Sequence, residues 1–318
     1  MSAGVGCLHD LLLFGSDAEL VGAGWGFIAD GIAAGDLVIV HGGEHEVELL
    51  RDAFDDDPRV VFAPGRERYR HMMGTIGQYQ RLCERENAAG RRVRALGPVP
   101  FAEDPASRAE WMRYEALIAR ALGPYGFSGL CHYDTRNTPA DVMNLALATH
   151  RNVVTAHGVR RNDRQRPGSE LLRALAPAHP PDALQDVPAV WGESDCAAPA
   201  PIRHGVRRAL REGRFDTDQA EGFVAAISEV LSNALQHGQS PVQVRLHTNG
   251  HRWLCMVTDQ GPGMADPWTG VDSPLPTNPQ QVGTGLWLAR QLCDQLTITT
   301  HPAGGARISL RLSPTQPR

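Results

Sequence analysis

The chain has 318 residues, which is long for one compact core, so we expect two domains. Its 42% hydrophobic and 21% charged residues, with a formal net charge of -5, are typical of a soluble protein and lack the basic excess of a nucleic-acid surface. The apolar run Leu11–Phe14 is too short for a signal peptide or a membrane span, so we predict a cytoplasmic protein without direct nucleic-acid or membrane contact.

Two features of residue usage narrow the chemistry. The six cysteines are scattered without a CxxC pair, which indicates reduced thiols rather than a disulfide framework or a zinc finger. The sequence contains no lysine, so all 31 basic residues are arginine. This excludes the P-loop lysine, the strand lysine of eukaryote-type protein kinases and any Schiff-base lysine. Nucleotide chemistry in this chain therefore needs another kind of phosphate site.

Strand-like and helix-like segments alternate over the first 160 residues. The predicted strands are Leu8–Phe14, Leu37–His41, Val60–Phe62, Arg92–Leu96 and Ser128–Tyr133. The predicted helices are Glu19–Ile32, His45–Phe54, Tyr69–Ala89, Pro105–Leu122 and Pro139–Thr149. Strands separated by helices predict an α/β domain over residues 1–160, with a mainly parallel sheet covered on both faces.

The pattern changes twice in the second half. Recurrent prolines predict a linker over residues 161–199, with one short helix at Glu170–Ala176. The predicted elements that follow are helices Arg203–Arg211, Thr217–Leu235 and Leu286–Leu296, strands Val242–His247, Trp253–Thr258, Leu296–Thr300 and Ala306–Leu312, and a Pro/Gly-rich loop over residues 261–282. This order predicts an α+β sandwich over residues 200–318, with one antiparallel sheet and its helices on one face.

A first candidate motif lies on the predicted helix that follows residue 217. It runs from Glu229 to Gly238 with the sequence EVLSNALQHG. Glu229 and Asn233 are four residues apart, so both side chains project from one helix face. An amide oxygen is a suitable hard ligand for Mg²⁺, and a carboxylate one turn earlier can polarise a nucleophile beside the metal. Alone, such a pair is usually a solvated helix face.

Two further motifs follow in the chain. Residues 259–264 (DQGPGM) come directly after a strand, where an aspartate can accept a hydrogen bond from an adenine amino group and glycines let the backbone approach the base. Residues 283–286 (GTGL) open a helix, whose N-terminal amides can bind phosphate without a lysine. Each motif is common by itself. Their order, with a strand before one and a helix after the other, indicates a nucleotide site.

Together the three motifs resemble the N-box, G1 box and G2 box of the ATP-binding fold shared by gyrase, Hsp90, histidine kinases and MutL. The resemblance covers roughly Ala200 to Leu312, and the anti-sigma-factor serine kinases are the most similar branch. Their pattern E-x-x-x-N-A-x-x-H-G is similar to residues 229–238. The loop between Met264 and Gly283 is short, as in that branch, and no lysine reaches back towards the phosphates.

This resemblance implies ATP and Mg²⁺ as cofactors and a role for each motif. Asn233 would coordinate Mg²⁺, Asp259 would read adenine, and Glu229 would be the general base. The residues implied to contact the nucleotide are Asn233, His237, Asp259, Gly261, Gly263, Met264, Gly283, Thr284, Gly285 and Leu286. The implied reaction transfers the γ-phosphoryl group to a serine or threonine. The implied partners are a sigma factor and/or an anti-sigma-factor antagonist, and a homodimer is expected.

Two alternatives remain open. One is a non-catalytic switch in which nucleotide only changes a protein-binding surface, since the same three motifs are needed for binding alone. The other is an atypical sensor histidine kinase, which needs a phosphoacceptor histidine on a helix hairpin before the ATP-binding domain. Only His179 lies between residues 160 and 200, and His9-Asp10-Leu11 lies far upstream on a predicted strand. The serine/threonine kinase is the interpretation we favour.

The first domain resembles the MEDS sensory domain of methanogen and methylotroph regulators. The similar fragments are His9–Phe14, Ser16-Asp17, Gly31 to Asp36, Val93-Arg94, Trp111 with Tyr114-Glu115, Gly129–Asp134 and Ala148–His150. That family looks like a degenerate relative of RecA/KaiC-type ATPases, yet no glycine-rich loop here ends in Gly-Lys-Ser/Thr. The resemblance therefore implies a sensor for a small-molecule signal, or a docking module, rather than a second ATPase.

Several residues of this domain carry reactive side chains. Cys131, His132, His9 and His150 lie near predicted strand ends, which gather at one edge of a parallel sheet and so offer a metal or ligand site. Buried thiols and hydrogen-bonded histidines are the interpretation we prefer for them. Tyr133-Asp134, at a strand end, is the pair we would test for ligand contact.

Overall fold

The computed structural model describes residues 8–52, 54, 57–64, 72–99, 105–175, 182–211, 217–264, 266, 268–271, 284–300 and 305–313. The chain divides near residue 175 into two compact units. Each unit has its own β-sheet. Among the described helices, none is long and apolar enough to cross a membrane.

A seven-stranded sheet forms the centre of the first unit. Its strands are β1 Leu8–Phe14, β2 Leu37–Gly42, β3 Val60–Pro64, β4 Val93–Gly97, β5 Ser128–Asp134, β6 Asn152–Thr155 and β7 Gly158–Arg161. They lie in the order β3-β2-β4-β5-β1-β6-β7, and all pairs are parallel except β6 with β7. The mainly parallel sheet confirms the prediction. Strands β6 and β7 were not predicted, because each has only four residues and β7 is exposed and arginine-rich.

Helices connect these strands. They are α1 Asp17–Ala34, α2 Glu44–Arg51, α3 Met72–Ala88, α4 Pro105–Leu122, α5 Ala140–Thr149 and α6 Gly168–Leu175. Helix α1 begins with a variant of the capping box. The hydroxyl of the N-cap residue Ser16 accepts from the Glu19 amide, and the Glu19 carboxylate accepts at 2.6 Å from the amide of Gly15, one residue before the N-cap. It ends at Gly35, whose φ of 76° is the left-handed conformation that glycine adopts most readily.

The two faces of the sheet bury different side chains. Leu12 of β1 and Leu130 of β5 belong to an apolar cluster with Leu20 and Ile28 of α1. Successive side chains on a strand point to opposite faces of the sheet. The side chain of Cys131 on β5 therefore lies on one face, and those of its two neighbours, Leu130 and His132, lie on the other. This separation decides which of the reactive side chains can meet.

The second unit is an antiparallel sheet with helices. Its strands are β8 Trp191–Glu193, β9 Gln243–Thr248, β10 Trp253–Thr258, β11 Gln295–Thr300 and β12 Ala306–Leu312, in the order β11-β12-β10-β9-β8. Its helices are α7 Pro199–Leu210, α8 Thr217–His237 and α9 Thr284–Leu292. Every strand pair is antiparallel, which confirms the predicted arrangement of this sheet.

Helix α8 is held by one apolar face. Phe223, Ile227 and Val230 recur at helical spacing, are at most 1% exposed, and join a core that includes Leu246 and Leu310 of the sheet. Burial of this face leaves the polar side chains of α8 on a different face. The orientation of the first motif therefore follows from the hydrophobic pattern of its own helix.

The second unit differs from the prediction most clearly in three elements. Strand β8 lies inside the predicted linker, where Trp191 pairs with Leu246 and its ring packs so closely on Gly205 that a Cβ there would be 2.4 Å from it. Helix α7 begins at Pro199 rather than at Arg203, and proline suits the first turn of a helix. Helix α9 covers residues 284–292 rather than 286–296, because the chain enters β11 at Gln295.

Candidate functional site

The motif residues of the second unit line one cavity of about 630 Å³. The lining residues are Glu229, Ser232, Asn233, Gln236, His237, Gly238, Asp259, Pro262, Gly263, Met264, Asp266, Trp268, Thr269, Gly270, Thr284, Gly285, Leu286 and Ala306. They come from α8, from the segment after β10, from the first turn of α9 and from the start of β12. A cavity of this size lies within the range of small-molecule and cofactor sites.

Helix α8 contributes a polar stripe to the cavity. Glu229, Ser232, Asn233, Gln236 and His237 are spaced by three and four residues, so they lie along one face of the helix. The sequence analysis selected three of them. Ser232 and Gln236 were missed, although the same spacing rule places them between the selected residues.

The carboxylate of Asp259 is held rigidly at the end of β10. Asp259 is buried, and its Oδ1 accepts a hydrogen bond from the Gly261 amide at 2.7 Å. A Cβ at Gly238 would lie 2.6 Å from the Asp259 Cγ, and a Cβ at Gly305 would lie 1.9 Å from the Asp259 carbonyl oxygen. Two glycines therefore permit the backbone to close around this aspartate.

The first turn of α9 faces the acidic end of the α8 stripe. A Cβ at Gly285 would lie 2.5 Å from Oε2 of Glu229, so no larger residue fits there while Glu229 keeps its position. Thr284 and Leu286 line the cavity on either side. Backbone amides at this position have no partners within the helix and can bind an anion.

The structure brings together most of the predicted site. Nine of the predicted residues line the cavity: Glu229, Asn233, His237, Asp259, Gly263, Met264, Thr284, Gly285 and Leu286. Gly261 does not line it and instead donates to Asp259. Gly283 lies outside the described residues.

A short turn from the loop after Met264 also closes the cavity. Asp266, Trp268, Thr269 and Gly270 line it, and none of these was predicted as a site residue. Arg290 of α9 holds the turn, since its guanidinium donates to the carbonyl oxygens of Thr269 at 3.3 Å and of a β11 residue at 3.0 Å. The lone tryptophan within a Pro/Gly-rich loop was the available signal for this contribution.

The reactive residues of the first unit separate into two groups. His9, Cys131 and His150 converge, whereas His132 points to the opposite face of the sheet and packs edge-on against Phe14 at a centroid distance of 5.7 Å. Burial lowers the pKa of His132 to about 4, so this side chain is neutral at physiological pH. The alternative in which all four residues form one cluster therefore does not hold for His132, which is a buried neutral histidine, as the preferred interpretation expects.

The pair Tyr133-Asp134 does not present an open ligand site. The Tyr133 side chain is buried and donates to the carboxylate of Glu115 at 3.2 Å. The Asp134 carboxylate accepts from the Arg136 guanidinium at 2.8 Å and from the Asn137 amide at 3.2 Å. The Arg136 guanidinium holds the pKa of Asp134 below its ordinary value. Both side chains therefore have internal structural partners, and this geometry gives no support for ligand contact by the pair.

Comparison with solved structures gives three examples of similarity. The RsbU and RsbW domains of a Mycobacterium tuberculosis protein are 21% identical over 40% of this chain and 34% of that one, with a TM-score of 0.29. The chain thus spans about a third of that protein. The mycobacterial sensor histidine kinase MprB is 22% identical over 39% of this chain and 96% of that one, with a TM-score of 0.26. A chain of the SiaB–SiaC complex from Pseudomonas aeruginosa is 15% identical over 41% of this chain and 93% of that one, with a TM-score of 0.30.

Comparison with protein families assigns most of the sequence. No curated protein is significantly similar to the chain. Residues 8–151 match the family described as the MEthanogen/methylotroph, DcmR Sensory domain, or MEDS. Residues 192–312 match the family described as the histidine kinase-like ATPase domain, and this range begins within β8, which the sequence analysis placed in the linker. The chain therefore contains a MEDS domain at residues 8–151 and a histidine kinase-like ATPase domain at residues 192–312.

Proposed function

We propose that the second domain binds ATP with Mg²⁺ and transfers the γ-phosphoryl group to a serine or threonine of a partner protein. The observation that supports this most directly is the convergence of three separate segments on one cavity. Asn233 of α8, Asp259 after β10 and Gly285 of α9 all line it, although they are far apart in the sequence. Each offers a different kind of contact to a nucleotide: an amide oxygen, a fixed carboxylate and backbone amides.

The residues present fit Mg²⁺ and a phosphate chain. Asn233 and Glu229 place oxygen atoms on adjacent turns of one helix, and Mg²⁺ binds oxygen ligands. At Gly285 the space beside Glu229 admits no side chain, so the backbone itself is available for close approach. Asn233 would hold the metal through its amide oxygen, and the amides of α9 would hold phosphate. When bound, Mg²⁺ neutralises the charge that develops on the phosphates.

Adenine recognition would depend on the rigidity of Asp259. The Gly261 amide donates to Oδ1, and Gly238 and Gly305 let the backbone pack directly against the residue. A carboxylate fixed in this way can accept a hydrogen bond from the adenine amino group without losing side-chain entropy on binding. A charged acceptor strengthens that hydrogen bond.

Glu229 would act as the general base. It lies one turn before Asn233 on the same face of α8 and beside the first turn of α9. From there it would accept the proton of the attacking hydroxyl group, while Asn233 and the α9 amides keep the reacting groups in place. Because the sequence contains no lysine, this catalysis rests on positioning and on backbone amides rather than on a lysine charge.

The partner we propose is a sigma factor and/or an anti-sigma-factor antagonist protein, so that phosphorylation regulates transcription. The MEDS domain would sense a small molecule and bias the ATPase domain, and the protein would act as a homodimer. A relationship of the MEDS domain to RecA/KaiC-type ATPases belongs to the same proposal. For a conventional histidine kinase, residues 182–198 as described offer only a 3-10 turn and β8 before α7, not a helix hairpin.

The first test is Mg²⁺-dependent ATP binding by the full chain, measured by titration calorimetry. We expect binding by the wild type and a loss of about 10- to 100-fold for Asn233→Ala and for Asp259→Asn, since each removes a contact to a charged group. Glu221→Gln is the matched control, because Glu221 lies on the same helix but pairs with Arg207 at 2.6 Å outside the cavity. Absence of ATP binding by the wild type would overturn the proposal.

The second test separates the kinase from a nucleotide-dependent switch. Candidate antagonist proteins of the source organism are incubated with γ-labelled ATP and either wild type, Glu229→Gln or Glu221→Gln. We expect wild type and Glu221→Gln to label one of them, and Glu229→Gln to be at least 100-fold slower, the usual order for loss of a general base, with ATP affinity retained. Equal labelling by Glu229→Gln would contradict its role, and tight binding without any labelling would support the switch.

A further inference from the structure

Four side chains in the MEDS domain point at one another in the protein interior. His9 of β1, Glu115 of α4, Cys131 of β5 and His150 after α5 place their ligand atoms within 4.8 Å of one another. Each of the four residues is at most 8% exposed. They are more than 100 residues apart in some pairs, so only the fold brings them together. The sequence analysis had identified three of them and had missed Glu115.

The hydrogen bond of His150 fixes its protonation pattern. Its Nδ1 donates to the carbonyl oxygen of Ala146 at 2.7 Å, so Nε2 of the neutral ring carries a lone pair. That lone pair faces Oε2 of Glu115 at 3.3 Å. Within the described part of the chain neither atom has a geometrically satisfied hydrogen bond, and the other polar contact of Oε2 is the His9 imidazole. Two buried lone pairs at this distance repel each other unless a proton or a cation lies between them.

The other two side chains approach the same point. His9 places Nε2 3.2 Å from Oε2 of Glu115 and 3.3 Å from the sulfur of Cys131. The second carboxylate oxygen of Glu115 accepts from the Tyr133 hydroxyl at 3.2 Å, which orients the carboxylate towards the two imidazoles. Metal-binding histidines commonly donate their other ring N–H to a backbone carbonyl, and metal-binding carboxylates are commonly held by a hydrogen bond. His150 and Glu115 have these supports.

Both the separations and the donor atoms fit one class of ion. Ligands at about 2.0–2.3 Å around a tetrahedral Zn²⁺ lie about 3.3–3.8 Å from one another. Three of the six separations between the ligand atoms are 3.2–3.3 Å, and all six are within 4.8 Å. Two imidazoles, a thiolate and a carboxylate are all zinc ligands. We propose that His9, Glu115, Cys131 and His150 form a closed, four-ligand Zn²⁺ site in the MEDS domain.

Such a site would link four elements of the domain. Strands β1 and β5 are neighbours in the sheet, and the ion would join both of them to α4 and to the residue that follows α5. Because the protein fills all four positions, the ion would be structural or regulatory rather than catalytic. Loss or exchange of the ion would change how α4 and α5 pack on the sheet, independently of any nucleotide bound to the second domain.

The metal content of the purified full chain tests the proposal. We expect about one zinc per chain by elemental mass spectrometry, retained on dialysis without chelator. His150→Ala should lose it. His132→Gln should keep it, because His132 is equally buried on the same strand as Cys131 but faces the other side of the sheet. Equal zinc in wild type and His150→Ala would overturn the assignment, as would wild type that contains no metal and takes up none on refolding with Zn²⁺.

A second measurement remains informative if His150→Ala fails to fold. Wild type refolded with Co²⁺ should show the near-ultraviolet thiolate-to-cobalt charge-transfer band, and Cys131→Ser should bind Co²⁺ without that band. A band that persists in Cys131→Ser would exclude Cys131 as a ligand and overturn the site. Iron or copper at the same stoichiometry, lost in the same variants, would overturn zinc as the native ion.

Discussion

A methyl group added at Gly238 should displace the aspartate at the end of β10. In Gly238→Ala, the new Cβ would lie 2.5 Å from the carbonyl oxygen of Ala234 and 2.6 Å from Cγ of Asp259. Ordinary contacts of a Cβ begin near 3.4 Å, so both approaches are too close by about 0.8 Å. Neither neighbour is the end of a flexible side chain. The substitution must therefore move Asp259 or the end of α8.

The expected cost has two parts. Overpacking of this kind destabilises a protein by about 1–3 kcal/mol, and the unfolding temperature of the ATPase domain should fall accordingly. If Asp259 loses its hydrogen bond to adenine, a contact to a charged group worth about 1.5–3 kcal/mol is lost, which is about 10- to 150-fold in the ATP dissociation constant. The affinity should therefore fall even at temperatures where the variant remains folded.

Gly222→Ala provides the matched comparison on α8. A Cβ there would meet Leu292 at 3.6 Å, an ordinary contact, and alanine is favoured over glycine inside a helix by about 0.5–1 kcal/mol. We expect unchanged ATP affinity and an equal or higher unfolding temperature for this variant. Calorimetric titration and thermal unfolding of both proteins test the reasoning. Wild-type ATP affinity in folded Gly238→Ala would show that the position of Asp259 does not control binding.

Three other predictions follow from the described contacts. Phe223→Ala removes a ring that is 0% exposed and should lower the stability of the ATPase domain by about 3–5 kcal/mol in scanning calorimetry. Arg91 and Arg85 lower the pKa of Glu86 below its ordinary value of 4.5, so these ion pairs stabilise the fold fully above about pH 4.5 and stop doing so as the pH falls through the lowered pKa. Glu86→Gln should therefore lower the free energy of unfolding measured in urea at pH 7, and should lower it much less at acidic pH. Trp268 lines the cavity, so ATP should change the tryptophan fluorescence of the wild type and not that of Trp268→Phe.

The ATPase domain could be predicted well because its motifs agree with their local structure. Glu229 and Asn233 lie on a helix whose apolar positions, such as Phe223 and Ile227, already define the buried face. The side that the motif faces is thus encoded in the same segment. Asp259 directly follows an alternating strand, so its place at the strand end needs no long-range information.

The elements that were missed depend on distant partners. Strand β8 has three residues in a proline-rich segment, and it forms because Trp191 pairs with Leu246 and packs on Gly205. A segment of three residues carries no periodicity of its own. The turn around Trp268 is placed by Arg290, which reaches it from α9.

The buried cluster of the MEDS domain illustrates the same limit. Cys131 is followed in the sequence by His132, and only the alternation of side chains along the strand shows that these two residues face opposite sides of the sheet. Glu115 was quoted only as part of a fragment similar to the MEDS domain and not as a site residue, although a carboxylate between Tyr114 and Ala116 on a buried helix is unusual. Its partners lie on β1 and after α5, and the helical pattern does not reveal them.

The capping box at the start of α1 has a consequence for every nucleotide titration of this protein. Glu19 places its own carboxylate on the Gly15 amide, in the turn between the first strand and the first helix, where a phosphate-binding loop would need an unoccupied amide. An incoming phosphate would compete with a tethered negative charge that is present at all times. The full-length chain should therefore saturate with a single nucleotide, so its ATP isotherm can be assigned to the second domain without cutting the protein in two.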